Sequence, residues 1–268
     1  MKSMEYVLVT GAFGGMGREA VRTLRDAGYG VFALDRKTDT VGDGVIPIEA
    51  DLTKEDDVAR AFASVSAVTD RLFAIVHFAG IYMLDSLVEM SETDFKRIFA
   101  VNLFGVFTVN RVFLPLLSNG SRILITTSEL APLDPLPFTG IYAVTKSALD
   151  RYAYALRMEL QMLGISVSVL RAGAVDTGMI GASTDALDRF CEKTEIYTCN
   201  AGRFRDIVNR VEARKIPPAR IAHKVEKLLL KKHPRFAYAI NRNPLLLLLN
   251  ALPQSLQCAV IARILKSK

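Results

Sequence analysis

The chain has 268 residues, 50% of them apolar and 23% charged, with a formal net charge of +6. A chain of this length can bury a full core, and no repeat, low-complexity tract or Pro/Gly/Ser-rich linker divides it. The length is compatible with one large α/β domain or two small ones, and we expect a single domain over residues 1–268.

The first predicted element is a buried strand at residues 6–9, followed by the glycine-rich segment Thr10 to Gly17 of the form TGxxxGxG. Glycine lets a backbone approach a pyrophosphate closely, and the helix predicted at residues 18–27 offers free N–H groups to an anion. The pattern favours a dinucleotide site. The expected contacts in this segment are Gly11, Phe13, Gly14, Gly15, Met16 and Gly17.

A second strand at residues 30–35 completes a strand–helix–strand unit and ends at Asp35, 18 positions beyond Gly17. A carboxylate there can accept both hydroxyls of an adenosine ribose and repels a 2′-phosphate. This favours NAD over NADP, although Arg36 and Lys37 follow at once and weaken the repulsion. A helix-capping or solvated Asp35 is the alternative.

Further β-rich segments recur at residues 45–48, 73–78, 122–127, 165–170 and 236–240, with helical stretches between most of them. This alternation predicts an α/β fold with a doubly wound parallel sheet and helices on both faces. Ligands of such sheets bind beyond the carboxyl ends of the strands.

Tyr142 and Lys146 are the candidate acid–base residues. Their YxxxK spacing places the phenol and the ammonium one helical turn apart. We expect the cation to stabilise the phenolate, so that Tyr142 can take a proton from an alcohol or return one to a carbonyl. A surface pair is the ordinary alternative for this spacing.

Two further polar residues belong to this hypothesis. Ser128 closes the strand at residues 122–127, where its hydroxyl can stabilise charge on a reacting oxygen. Asn102 lies in a predicted helix, where it can bond backbone groups or hold a water beside Lys146. The chain order of glycine loop, acidic strand end, Asn, Ser, Tyr and Lys is more informative than any member alone.

The basic charge is concentrated near the C-terminus, where residues 210–268 hold 13 Lys or Arg and 2 acidic residues. The extension at about 241–268 also contains the five leucines at 245–249, the longest aliphatic run and too short to span a bilayer. These leucines can attach to an anionic membrane surface, close a substrate pocket or form a subunit interface, and packing against the protein is slightly preferred over membrane contact. Nucleic-acid binding is the weakest alternative, because no recognised motif is present.

Other residue types argue against further chemistry. Cys191, Cys199 and Cys258 lack metal-ligand or redox spacing, which is typical of a reducing compartment. His77, His223 and His233 have no partner at metal spacing, so we expect no metal. The first strand begins within a few residues of Met1, so we expect no signal peptide and a cytoplasmic protein, with membrane association through the tail as the alternative.

With these motifs in order, residues 4–179 resemble the classical short-chain dehydrogenase/reductase family. The resemblance implies a Rossmann-like domain, hydride transfer between NAD(P) and a secondary alcohol or ketone, and an active site of Ser128, Tyr142, Lys146 and Asn102. It also implies cofactor contacts from Arg36, Asp51, Leu52, Ala79, Gly80, Gly173, Val175 and Thr177, besides Tyr142, Lys146 and Asn102. It further implies a homodimer or homotetramer formed by the helices around Asn102 and Tyr142.

Three positions depart from the family pattern. The family's NNAG reads His77-Phe78-Ala79-Gly80, so the brace of the central sheet is expected to come from packing instead. Ala172 replaces the proline of the PG pair. Ser128 precedes Tyr142 by 14 residues, one more than usual, which keeps Thr127 as a reserve candidate.

The predicted helical substrate lid, at about 178–216, and the loop before Tyr142 carry many apolar residues and no compact basic clamp. Apolar walls favour a hydrophobic alcohol or ketone, such as a hydroxysteroid or retinoid. The expected substrate contacts are Ser128, Leu136, Phe138, Tyr142 and Met179. A 3-oxoacyl thioester reductase and a catalytically idle NAD-sensing binding protein are the competing interpretations.

Overall fold

Seven parallel strands form one sheet in the order β3-β2-β1-β4-β5-β6-β7. In this computed structural model the described residues are 4–40, 42–212 and 214–266, without the side chains of 179–185, 199 and 208–212. The strands are β1 (Tyr6–Thr10), β2 (Gly30–Asp35), β3 (Val45–Glu49), β4 (Ala74–His77), β5 (Arg122–Ser128), β6 (Ser166–Ala172) and β7 (Ala237–Ile240). The predicted doubly wound α/β fold is confirmed.

Helices cover both faces of this sheet. They are α1 (Gly15–Asp26), α2 (Glu55–Ser66), α3 (Glu92–Phe99), α4 (Gly105–Phe113), α5 (Gly140–Leu160), α6 (Gly178–Lys193), α7 (Thr198–Glu212), α8 (Pro218–Leu229), α9 (Pro244–Asn250) and α10 (Gln254–Leu265). A π-helical turn, Ala100–Phe104, joins α3 to α4. Helix α1 begins three residues before its predicted start, because the glycine loop itself enters the helix.

The central strands read as unbroken apolar runs because each of their faces meets a separate core. On β1, Leu8 packs into a cluster with Val106 of α4 and Leu149 of α5. Its neighbours Val7 and Val9 point the other way, into a cluster shared with α1 and α8. Alternate side chains are thus buried on opposite faces, as expected of a parallel sheet covered twice.

The strand order reverses beside β1, which pairs with β2 on one side and with β4 on the other. Chain connections leave this point in opposite directions, so a crevice opens at the carboxyl ends of the two strands. Thr10 and His77 end β1 and β4 at this edge and pair in register. The glycine loop and the Ala79–Gly80 segment follow directly.

His77 is the centre of a buried polar network that connects two strand ends to two helices. Its Nε2 lies 2.9 Å from Asn110 Oδ1, and its Nδ1 lies 3.4 Å from Thr10 Oγ1. An amide oxygen only accepts, so Nε2 carries the proton and Nδ1 accepts from Thr10. Asn110 Nδ2 donates in turn to the Tyr152 hydroxyl at 3.2 Å. Besides the packing expected at this position, hydrogen bonds therefore join β1, β4, α4 and α5.

The helical stretch Glu92–Leu116 is long and apolar enough to cross a bilayer by length and composition alone. Its two buried asparagines are bonded within the domain, Asn102 to the backbone of Ile81 and Asn110 to His77. We therefore interpret this stretch as a core helix packed on the sheet.

Candidate active site

The glycine loop is shaped by contacts that leave no room for side chains. Gly11 has φ +67°, and a Cβ there would lie 2.5 Å from the Ala79 nitrogen. A Cβ on Gly15 would lie 2.6 Å from Thr177 Cβ, and one on Gly17 would overlap the Gly11 carbonyl oxygen. Glycine is therefore required by close packing between the loop, the end of β4 and the segment after β6.

The amino end of α1 lies open at a cleft of about 790 Å³. Its N-cap is Gly14, with no side-chain cap and no acidic residue in the first turn, so the first N–H groups and the positive dipole end suit an anion. The donor set fits the pyrophosphate of a dinucleotide. The predicted cofactor residues that line the cleft are Gly11, Gly14, Gly15, Met16, Gly17, Asp35, Arg36, Asp51, Leu52, Ala79, Gly80 and Thr177.

Asp35 connects the glycine loop to the end of β2. Its Oδ2 accepts a hydrogen bond from the Phe13 backbone N–H at 2.9 Å, and its Oδ1 accepts from the Arg36 N–H at 2.7 Å. The carboxylate oxygens retain further lone pairs toward the cleft. Phe13 is not among the described residues that line the cleft. Its backbone N–H orients the Asp35 carboxylate instead.

Two predicted cofactor residues after β6 also lie outside the described lining of the cleft. A Cβ on Gly173 would overlap the Asn241 carbonyl oxygen and lie 3.0 Å from Glu129 Oε1. Val175 is buried and forms an isolated parallel bridge with Ile216. Both residues hold the segment that carries Thr177 to the cleft.

The four predicted catalytic residues come together from three elements. Tyr142 and Lys146 lie one turn apart on α5, with the Lys146 Nζ 5.7 Å from the centre of the Tyr142 ring. Ser128, the last residue of β5, hydrogen-bonds the Tyr142 side chain. Lys146 Nζ donates a hydrogen bond to the Thr126 carbonyl at 3.5 Å, and no second acceptor for this ammonium is found among the described residues. The remaining ammonium donors suit the hydroxyls of a ribose.

Asn102 is fully buried in the π-helical turn and bound on both sides of its amide. Its Oδ1 accepts from the Ile81 N–H at 2.8 Å, while its Nδ2 donates to the Ile81 carbonyl at 3.0 Å and to Thr145 Oγ1 at 3.1 Å. The wider turn interrupts the helix where Asn102 faces the segment after β4. Asn102 therefore fixes that segment against α5.

Ser128, and not its reserve Thr127, stands beside Tyr142. The Thr127 hydroxyl donates to Asp150 Oδ1 at 3.3 Å. The same carboxylate accepts two hydrogen bonds from Arg171, at 3.0 and 2.7 Å. Thr127 is thus engaged on the α5 side of β5, and the extra residue of the following loop does not displace Ser128.

Burial shifts the pKa values of both titratable side chains of this group. Burial raises the pKa of Tyr142 to about 12, with the Ser128 hydrogen bond acting in the opposite direction. Burial lowers the pKa of Lys146 to about 8. Burial acts against both charged forms, and the predicted stabilisation of the phenolate by Lys146 stays a prediction. At neutral pH Tyr142 is a protonated phenol.

Gly80 and Tyr82 line the cleft and lie next to the catalytic group. The described lining of the cleft does not include Asn102, Ser128, Tyr142 or Lys146 themselves. A Cβ on Gly80 would lie 3.2 Å from Asn102 Oδ1 and 3.3 Å from Lys146 Nζ. The Tyr82 ring packs on Tyr142 with centroids 4.9 Å apart and planes at 56°. Sequence reasoning missed Tyr82, although an aromatic residue shortly after the Ala79–Gly80 pair is a usable signal.

Of the five predicted substrate residues, Ser128 and Tyr142 lie together in the catalytic group, whereas the other three are not shown to contact it. Phe138 is buried against Phe190, Tyr197 and Phe204, with centroids 4.5 to 5.0 Å apart, so it ties the loop before α5 to α6 and α7. Leu136 is outside the described lining of the cleft, and Met179 lies outside the described side chains. The apolar lining residues that the prediction missed are Ile81, Tyr82, Met83, Leu84, Ala186 and Phe190.

Among the described residues, no group of three or more His, Cys, Asp or Glu side chains is arranged to hold a metal ion. The site instead combines a phenol, a hydroxyl, an ammonium and an anion-binding helix end at the switch point of a parallel sheet. This combination defines the class of Rossmann-like oxidoreductases.

Comparison with known proteins identifies the family within that class. The sequence model for short chain dehydrogenases matches residues 5–188, and the chain belongs to this family of oxidoreductases, whose members use NAD(H) or NADP(H). It is similar to the uncharacterized oxidoreductase YbbO of Escherichia coli K12, with 29% identity over 87% of this chain and 84% of that protein.

A second relative is estradiol 17-beta-dehydrogenase 2 of Mus musculus, 32% identical over 68% of this chain and 51% of that protein. The confirmed family is therefore the classical one, with hydroxysteroid dehydrogenases among its similar members. A short chain dehydrogenase from Burkholderia cenocepacia, solved in complex with NADP, superposes with a TM-score of 0.74, at 22% identity and with 98% of each chain covered. That likeness shows the fold.

Proposed function

We propose that this protein is an NAD-dependent dehydrogenase or ketone reductase that interconverts a hydrophobic secondary alcohol and its ketone. The observation that carries this proposal is the assembly of Ser128, Tyr142, Lys146 and Asn102 directly behind Gly80, at the edge of the glycine-lined cleft. Because the Ser128 hydroxyl and the Tyr142 phenol lie within hydrogen-bond distance of each other, both can hydrogen-bond the same substrate oxygen.

The cofactor is proposed to lie along the described cleft. The α1 amino end would bind its pyrophosphate, Asp35 its adenosine ribose, and Lys146 its nicotinamide ribose. When bound, the nicotinamide supplies the hydride acceptor or donor. Because the Asp35 carboxylate faces the ribose position and repels a 2′-phosphate, NAD is favoured over NADP, while Arg36 beside it moderates that preference.

Proton transfer is proposed to pass through Tyr142. In the reducing direction the protonated phenol donates to the carbonyl oxygen, and in the oxidising direction the phenolate removes the alcohol proton. The Ser128 hydroxyl donates to the same oxygen and stabilises its developing charge. The raised pKa of Tyr142 keeps the phenol protonated at neutral pH, which is the form that ketone reduction needs.

The substrate class is inferred from the cleft wall nearest Tyr142. Tyr82, Leu84 and Phe190 line it, backed by a buried cluster that includes Phe138 and Phe204. Such a wall binds apolar rings or chains because their burial supplies most of the binding free energy. Similarity to an estradiol dehydrogenase agrees with a steroid-like or other lipophilic alcohol.

A 3-oxoacyl thioester is the second candidate substrate, because Arg97, Arg189 and Lys193 also line the cleft. An acidic carrier protein could contact these cations. Lys193 is already 3.4 Å from Asp85, which reduces the free positive charge at this rim. The lipophilic alcohol is therefore preferred.

The proposed assembly is a homodimer or homotetramer built on the outer faces of α4, α5 and the π-helical turn. Phe104, Phe107, Tyr154 and Met158 are all between 46% and 58% exposed there. Large apolar side chains at this density on two adjacent helices are typical of an interface with a second copy.

The proposal is tested by following absorbance of the reduced cofactor with purified protein. NAD and NADP are compared over hydroxysteroids, retinol, long-chain secondary alcohols and the corresponding ketones. The variant Tyr142→Phe is compared with Tyr154→Phe, which removes a hydroxyl from an exposed tyrosine of the same helix. We expect turnover with NAD, a loss of about 10²–10⁴-fold in Tyr142→Phe, and wild-type rates in Tyr154→Phe.

Other outcomes distinguish the competing functions. Turnover of 3-oxoacyl thioesters without turnover of free lipophilic alcohols would favour the second candidate. Binding of NADH without turnover of any substrate in either direction would contradict the enzyme and favour a binding protein.

A further inference from the structure

The C-terminal helices α9 and α10, which we call the tail helices, are attached to the protein by polar contacts. Asn250 Oδ1 accepts from the Asp134 backbone N–H at 2.7 Å, and Gln257 Nε2 donates to Asp134 Oδ2 at 3.0 Å. Asn200 Nδ2 of α7 donates to the Leu265 carbonyl at 2.7 Å. In residues 242–266 the buried side chains are those of Asn243 and Gln257, both polar.

The apolar side chains of the tail helices divide into two sets. Leu246, Leu247 and Leu249 of α9 are half-buried, and Leu265 of α10 packs against the buried cluster that contains Phe138. The second set is exposed. Leu245 and Leu248, one turn apart on α9, are 63% and 66% exposed. Leu256 and Ile264, two turns apart on α10, are 46% and 49% exposed. A helix of a soluble protein normally buries its large apolar side chains, so these four leave an apolar surface that is not covered by the rest of the domain.

Charge indicates what this surface contacts. The last 42 residues, 227–268, contain 8 Lys or Arg and no Asp or Glu. Arg242 before α9, and Arg263 and Lys266 near the end of α10, are exposed and flank the exposed apolar residues along the chain. A second copy docking through the same surface would bring like charges together, whereas anionic lipid headgroups would neutralise them.

We propose that the tail helices dock this protein on an anionic membrane surface, with Leu245, Leu248, Leu256 and Ile264 in the boundary between headgroups and acyl chains. Apolar side chains flanked by cations are the two components of interfacial binding, and neither suffices alone. The helices are too short to span a bilayer, so the protein lies on the surface.

The docking surface adjoins the catalytic loop. Glu129, the residue after Ser128, accepts a hydrogen bond from the Asn243 N–H at 2.6 Å, and Asp134 of the same loop binds both tail helices. In the part of this inference that rests on the proposed function, the membrane is the source from which the lipophilic substrate enters beside this loop.

Vesicle sedimentation with the full-length protein tests the docking without using activity. Phosphatidylcholine vesicles are compared with phosphatidylcholine–phosphatidylserine vesicles at low and high salt. The variants are Leu245→Gln/Leu248→Gln, Arg242→Gln/Arg263→Gln/Lys266→Gln, and the control Val68→Gln/Val88→Gln, which changes exposed apolar residues elsewhere. All these positions are exposed or half-buried, so far-ultraviolet circular dichroism should show unchanged folding.

We expect binding only to the anionic vesicles, weakened by salt, and lowered at least about tenfold in both tail variants but not in the control. Absence of binding, or equal binding by the leucine variant, would overturn the proposal. A leucine variant that changes the oligomeric state in sedimentation velocity, with unchanged vesicle binding, would assign the surface to a second copy. Vesicle binding without turnover would retain this inference and overturn the proposed function; turnover in detergent without binding would do the reverse.

Discussion

The stability of this protein in acid should depend on His77, which is buried and neutral between Thr10 and Asn110. Burial lowers its pKa from 6.5 to about 4. The unfolded chain therefore binds a proton that the folded state excludes, so the contribution is complete above pH 6.5 and is lost as the pH falls toward 4. The full loss is about 3 kcal/mol, of which about 2 kcal/mol falls between about pH 7 and pH 5.

The measurement is urea unfolding at these two pH values, followed by circular dichroism. His77→Asn removes the titrating group and keeps an amide that can donate toward Asn110. His233→Asn changes an exposed histidine and serves as the control. Between about pH 7 and pH 5, the free energy of unfolding should decrease in all three proteins. We expect this decrease to be about 2 kcal/mol smaller in His77→Asn than in the wild type, and the same in His233→Asn as in the wild type.

The comparison between variants cancels the carboxylates and other groups that titrate equally in all three proteins. Equal losses in the wild type and His77→Asn would refute the reasoning, because His77 would then have the same pKa in the folded and unfolded states. If His233→Asn instead removed the loss of stability seen in the wild type, the acid sensitivity would come from His233 and the prediction for His77 would be wrong.

Three further predictions concern the active site. Gly80→Ala should lower kcat roughly tenfold to a hundredfold with little change in Tm, because its Cβ would displace the active-site amide and ammonium; an unchanged kcat would contradict the geometry. Ser128→Ala should lower kcat by about 10²-fold, whereas Thr127→Val should lower Tm and leave kcat within a few-fold, since its hydroxyl binds Asp150. Asp35→Ala should shift the ratio of kcat/KM for NADP over NAD upward by roughly tenfold, and a shift toward NAD would refute its proposed role.

The sheet and the glycine loop were predictable because each leaves a pattern in a short stretch of chain. The central strands read as apolar runs, and the loop concentrates its glycines in one segment after β1. The contacts that require these glycines come from Ala79 and Thr177, which are distant in sequence and were not predictable. Ser128 was predictable because it closes a β-rich run, and it is the last residue of β5.

Features that depend on distant partners were not predictable. His77 looks like a lone core histidine in the sequence, and its role requires Asn110 and Tyr152 from two other helices. The raised pKa of Tyr142 depends on how completely the folded chain removes the phenol from water, which spacing to Lys146 does not reveal. The outward leucines of α9 likewise become evident only when the polar anchors of the tail are seen.

The strand order has a consequence for how this fold can change over generations. The cleft residues contributed by β1, β2 and the turn after β3 all precede residue 55, whereas the catalytic side chains and the apolar wall follow residue 78. The two groups meet at the junction of β1 and β4 and where Gly15 approaches Thr177. If the proposed function holds, changes in the first segment would alter which nucleotide is selected, and changes in the apolar wall would alter which substrate is accepted. The two selectivities are thus set by different stretches of the chain.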